Sequence, residues 1–99
     1  MTEKLTPEHF LPHVNKTVRV PGWHHTLTLA RVDIRKLEEW ELEVAQRQPF
    51  MLILRGPRGD VLPEGMHNLE IEGGASFNLY VIPVMTPQPD RQNYQVVFN

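Results

Sequence analysis

Phe50-Met51-Leu52-Ile53-Leu54-Arg55-Gly56-Pro57-Arg58 is the stretch whose reading decides the fold. Five apolar residues run without a break and then stop at an abrupt turn. Pro49 bounds the run on one side and Gly56-Pro57 on the other. That leaves it short of the ten or so residues an ordinary helix needs, but suits a strand buried on both faces. The hydrophobic segments that follow need it as a partner, so it reads as the central strand.

Working outward, the segments around it alternate polar and apolar residues with the period of two that a strand imposes. Thr17-Val18-Arg19-Val20 stops at Pro21-Gly22, and Thr26 to Val32 resumes with Leu27 and Leu29 on one face, which predicts a hairpin. Gly56-Pro57-Arg58-Gly59 and Leu62-Pro63-Glu64-Gly65 have turn chemistry. His67 to Glu72 follows with Leu69 and Ile71 inward. Gly73-Gly74 leads into Ser76 to Val84, with Phe77, Leu79 and Val81 inward. Pro83, lacking an amide proton, predicts an edge position or a bulge there. Asn93 to Asn99 closes the chain with Tyr94, Val96 and Phe98 inward.

Two helices are expected. Thr6-Pro7-Glu8 carries a hydroxyl cap, a proline at the first helical position and an acid that complements the helix dipole. Pro12 limits that helix to about one turn, with Phe10 and Leu11 available to plug one end of the core. Asp33 to Gln48 is ambiguous. Leu37, Trp40, Val44 and Ala45 have helical spacing, whereas Trp40, Leu42 and Val44 also alternate as a strand would. Helix formers dominate and β-branched residues are scarce, so propensity favours a helix over residues 34–47.

The expected fold is therefore mainly β (α+β) in a single domain over residues 1–99: a small antiparallel partly open barrel or two-layer sandwich of five to seven strands, with the two helices. At 99 residues there is room for one core. With no cysteine, there is no disulfide, no thiolate nucleophile and no cysteine-based zinc site. A formal charge of -2 offers no general attraction to nucleic acid or anionic lipid. The N-terminus lacks a secretory apolar core and no run reaches membrane-span length, so a soluble cytoplasmic protein without nucleic-acid or membrane partners is expected.

Candidate chemistry is sparse. Asn15-Lys16-Thr17 matches a glycosylation sequon, which matters only on a secretory route. His9 and His13 have the spacing of two ligands on a helix, but Pro12 lies between them. Four glutamates at 38, 39, 41 and 43 read as a solvated face. Arg58-Gly59-Asp60 spells an adhesion tripeptide in what reads as an exposed turn. Ser76 lacks the Gly-X-Ser-X-Gly elbow that exposes a nucleophile, and the glycines lack the Lys-Ser/Thr of a phosphate loop. No catalytic residue and no cofactor is expected. Trp23-His24-His25 is the chain's aromatic and histidine cluster; it reads either as an exposed interface anchor or as a cover over the barrel end, with Trp23 packed and the imidazoles in solvent.

Pro49-Phe50-Met51-Leu52-Ile53-Leu54-Arg55-Gly56-Pro57, then Leu62-Pro63-Glu64-Gly65 with Leu69-Glu70, Leu79-Tyr80-Val81-Ile82-Pro83-Val84 and Tyr94-Gln95-Val96-Val97-Phe98-Asn99, resemble a family of uncharacterised bacterial proteins of about this length. The segment from Phe10 to Val20 fits its N-terminal pattern as well. The shared motifs are structural and bring no catalytic residues. Members look as if they are encoded beside phage-tail-collar-like proteins, which implies an accessory or assembly role.

Two functions follow as expectations. The first is a non-enzymatic protein interaction or assembly module, an accessory of a phage-tail-like system, with a protein partner or a homo-oligomer. It would bind through an exposed strand edge or through Trp23, Tyr80, His24 and His25. The second is a small metal- or ligand-binding protein in which His24, His25 and His67, joined by His13, converge at one end of the barrel.

Overall fold

The computed structural model describes residues 5–42 and 48–98. It is mostly β, built from β1 (Thr17–Arg19), β2 (Thr26–Ile34), β3 (Phe50–Gly56), β4 (Gly65–Ile71), β5 (Ser76–Pro83) and β6 (Gln92–Phe98). All pairings are antiparallel, in the order β1-β2-β3-β6-β5-β4, and the sheet closes on itself as a barrel. Closure corrects the expectation of a partly open barrel or a two-layer sandwich. Val18 pairs with Ile71 and Arg19 with Glu70, so β1 joins β4 and no second layer forms. A second seam is equally short: β5 meets β6 at Ile82–Gln95 and Pro83–Tyr94, followed by the Val84 amide on the Asn93 carbonyl at 3.1 Å. Pro83 therefore sits at a seam, where a strand without an amide proton is tolerated.

The expected helix over residues 34–47 is also corrected. Ile34 ends β2 opposite Phe50, and a helix α1 covers Glu39–Leu42; residues 43–47 lie outside the described residues. β2 reaches Ile34 through a β-bulge at Ala30, where the register to β3 shifts between Leu29 and Arg31. Before the bulge Leu27 and Leu29 face inward; after it Val32, opposite Leu52, faces inward instead. An extra residue reverses the parity of a strand. Read without the bulge, the alternation fails after Val32 and the strand seems to end there.

Small barrels of this size are filled by side chains. Leu27, Leu29, Leu52, Leu54, Leu69, Val81, Tyr94 and Val96 occupy the interior. Phe50, Leu52 and Leu54 face in, whereas Met51 and Ile53 face out and are only half-buried, so the central run is not covered on both faces. Phe10 plugs one end, its ring 5.0 Å from Phe77, 5.6 Å from Phe98 and 5.9 Å from Phe50. It is delivered by two 3-10 turns, Pro7–His9 and Leu11–His13. Thr6 caps the first, with its amide on His9 Nδ1 at 3.0 Å. Leu11, expected beside Phe10 in the plug, is exposed instead.

Candidate interaction surface

Three loops meet at the end of the barrel away from Phe10: residues 20–25 between β1 and β2, 57–64 between β3 and β4, and 84–91 between β5 and β6. They are tied to one another. Trp23 packs on the core, and His25 stands edge-on to it with ring centroids 5.2 Å apart at 79°. His25 Nε2 lies 2.9 Å from Asp60 Oδ2, which fastens the first loop to the second. Arg58 reaches into the third loop, where one guanidinium nitrogen donates to the carbonyls of Thr86 (3.0 Å), Gln88 (3.2 Å) and Arg91 (2.9 Å). Below them the Leu62 amide donates to Tyr94 Oη at 2.9 Å, and burial pushes the Tyr94 phenol above its ordinary value. Gly56 is required here: a Cβ would lie 2.8 Å from Leu27 Cδ2 and 3.3 Å from Tyr94 Cε1.

Arg58 and Asp60 of the adhesion-like tripeptide are thus both engaged inside the molecule. The histidines are not gathered. His24 is exposed, and His25 is held by Asp60. His67 Nε2 bonds to the Pro63 carbonyl at 2.7 Å. His13 lies against the turn between β4 and β5, at the Phe10 end, where its ring would sit 2.9 Å from a Cβ placed on Gly74. Among the described residues, no group of three or more His, Cys, Asp or Glu side chains is arranged to hold a metal ion.

The outside of the barrel differs from this end. Strand register sets Met51 opposite Val97 and Met66 opposite Tyr80. β5 and β6 are neighbours in the barrel, paired at Ile82–Gln95 and Pro83–Tyr94, and Tyr80 and Val97 both take outward positions on them. An apolar strip therefore wraps the outer surface from Met51 through Val97 and Tyr80 to Met66. Val97, Tyr80 and Met66 are 45, 46 and 57% exposed, far above the level of the core. The Tyr80 hydroxyl donates to Glu64 Oε2 at 2.7 Å, and that hydrogen bond to a carboxylate raises the phenol's pKa. At the β3–β6 end the strip opens into a groove of about 290 Å³ lined by Ile34, Arg35, Pro49, Phe50, Met51 and Val97.

Of the residues singled out from sequence, Tyr80 lies in this strip, while Trp23, His24 and His25 belong to the loop end. Met51, Met66 and Val97 were missed, although each falls at an outward position of an alternating strand. An apolar residue at such a position is the signal that could have found them.

Among the described residues no helix is long and apolar enough to cross a membrane. Comparison with curated proteins and with solved structures gave no match. The model of one family, described as a domain of unknown function (DUF6916), matches residues 5–98. That match spans both capped ends of the barrel and all six strands, and the chain belongs to the DUF6916 family.

Proposed function

We propose that this chain is a non-catalytic protein-binding or assembly module that uses the outer strip as its contact surface. One observation carries the reading: Met51, Val97, Tyr80 and Met66 stand on neighbouring strands, outside a core that is complete without them. Tyrosine and methionine are favoured where one protein surface meets another, because each offers a large apolar area. Closing the sheet takes away the long open edge through which a peptide strand could have been added, so side chains and not backbone would make the contact. The setting implied by the likeness of the strands and turns is an accessory role in a bacterial phage-tail-like assembly.

The test is recovery of the tagged chain and its Tyr80→Glu variant from the source lysate, each examined by native mass spectrometry, with circular dichroism to verify folding. A stoichiometric protein complex, homomeric or heteromeric, should accompany the wild type and be lost from the folded variant. A wild-type chain recovered as a bare monomer, or a complex that the variant retains, would overturn the reading.

A further inference from the structure

The barrel is not joined evenly around its circumference. β1, β2, β3 and β6 form one continuous ladder, in which Phe50 to Gly56 pair with Phe98 to Gln92 along their whole length. β4 and β5 form another, from Gly65–Val81 to Glu70–Ser76. Among the described residues the two parts are joined only by the two short seams, which lie at opposite ends of the barrel. The β5–β6 seam, with Ile82–Gln95, Pro83–Tyr94 and the Val84 amide, is at the loop end. The β1–β4 seam, with Val18–Ile71, Arg19–Glu70 and the Glu72 amide on the Thr17 carbonyl at 2.8 Å, is at the Phe10 end. Ser76 to Val81 have no register partner on β6 among the described residues.

From this arrangement we infer that the β4–β5 hairpin is a hinged flap, which swings about the loop end and is latched to β1 at the Phe10 end. Both chain connections of the hairpin, residues 57–64 and 84–91, leave it at the loop end. There Arg58 of the first connection is bonded to the Thr86, Gln88 and Arg91 carbonyls of the second, and the Leu62 amide to Tyr94 Oη. Backbone connections, side chains and the β5–β6 seam thus hold the hinge together. At the other end the tip of the hairpin, residues 72–75, has the short latch, the Phe77 ring 5.0 Å from that of Phe10, and His13 against Gly74. The inward side chains Leu69, Ile71, Leu79 and Val81 are buried and keep the flap shut. A hairpin attached through so little ladder is the kind of unit that opens below the free energy of global unfolding. Opening uncovers the apolar interior behind Phe10 and breaks no strand pairing other than the latch.

Amide hydrogen exchange followed by NMR tests this, first on the wild type and then with one disulfide at a time introduced into the cysteine-free chain. In the wild type the Glu72 amide should exchange faster than the β3–β6 amides and with a weaker dependence on denaturant. Arg19→Cys with Glu70→Cys spans the latch, and Ile82→Cys with Gln95→Cys spans the hinge, each at directly opposed positions. Each oxidised variant is compared with its own reduced form, so the cost of substitution cancels. Closing the latch disulfide should slow Glu72 exchange by about tenfold or more. Closing the hinge disulfide should leave it within about twofold, because the hinge stays joined when the flap opens. Wild-type Glu72 exchange that matches the β3–β6 amides in rate and denaturant dependence would overturn the inference. So would a latch disulfide that leaves Glu72 unchanged, or a hinge disulfide that slows it equally.

Discussion

At the loop end of the barrel, Trp23, His25, Arg58, Asp60 and Tyr94 direct their contacts to other parts of the same chain; on the outer strip, Met51, Val97, Tyr80 and Met66 present apolar surface that the fold does not use. By residue type the first group looks the more functional, with its tryptophan, histidine and arginine. Position reverses that impression. A polar side chain with every partner inside the molecule holds loops together, whereas an exposed apolar row on well-paired strands has no internal reason to be apolar. Substitutions in the two regions should therefore separate into losses of stability and losses of association.

The largest effect is expected at Trp23. Trp23→Ala removes a half-buried indole that packs on the core, and chemical denaturation should show a loss of about 2 to 3 kcal/mol, somewhat below that of a fully buried aromatic. Gly56→Ala forces a methyl against Leu27 and Tyr94 and should cost about 1 to 3 kcal/mol by the same measurement. Tyr94→Phe keeps the ring but strands the buried Leu62 amide, for about 1 to 2 kcal/mol. Dimer or complex formation, measured below the melting transition, should survive all three. Loss of association without loss of stability in Trp23→Ala would erase the contrast between the regions.

On the strip the order inverts. Met66→Ser should leave stability within about 0.5 kcal/mol of wild type, as surface substitutions do, while weakening association. The smallest effect concerns Arg35, which belongs both to the groove and to a pair with Glu41. The Arg35 hydrogen bond, followed by the Glu38 amide, holds the Glu41 carboxyl below its ordinary value. A lowered carboxylate stabilises the fold above its unfolded-state pKa, and that contribution is lost as pH falls through the lowered value. Carbon-detected NMR titration should thus show Glu41 as a late-protonating glutamate that moves up in Arg35→Ala. No movement would separate Arg35 from the helix and leave it wholly to the groove.

Much of this fold was legible because strands announce themselves by alternation. The inward sets Leu69/Ile71, Phe77/Leu79/Val81 and Tyr94/Val96/Phe98, the β1–β2 hairpin and the Phe10 plug follow from period and turn chemistry. Closure was not legible, because it depends on β1 finding β4 across a seam from Val18 to Arg19, and nothing local encodes a pairing between distant strands. The bulge at Ala30 was hidden for a different reason. One unpaired residue reverses every later side chain, so the strand expected from sequence stops at Val32 and Ile34 falls to the stretch whose composition favours a helix.

The outer strip was half-visible. Phe50 to Leu54 is apolar on both faces, and in sequence that predicts burial on both. In a closed barrel one face is interior and the other is surface, so Met51 and Ile53 signalled an exposed apolar exterior. The cradle that Arg58 makes with three carbonyls has no sequence signature, since backbone acceptors carry no residue identity.

Methionine methyl NMR tests the central claim most directly, because Met51 and Met66 lie on the strip and Met85 lies beyond it, almost fully exposed. The free chain and the complex recovered with it would be compared with a soluble paramagnetic agent present. Resonances of Met51 and Met66 that shift on association, and that are shielded from the agent in the complex while Met85 stays broadened, are the predicted result. Methyl signals unchanged between the two, with Met51 and Met66 open to the agent in both, would contradict the account.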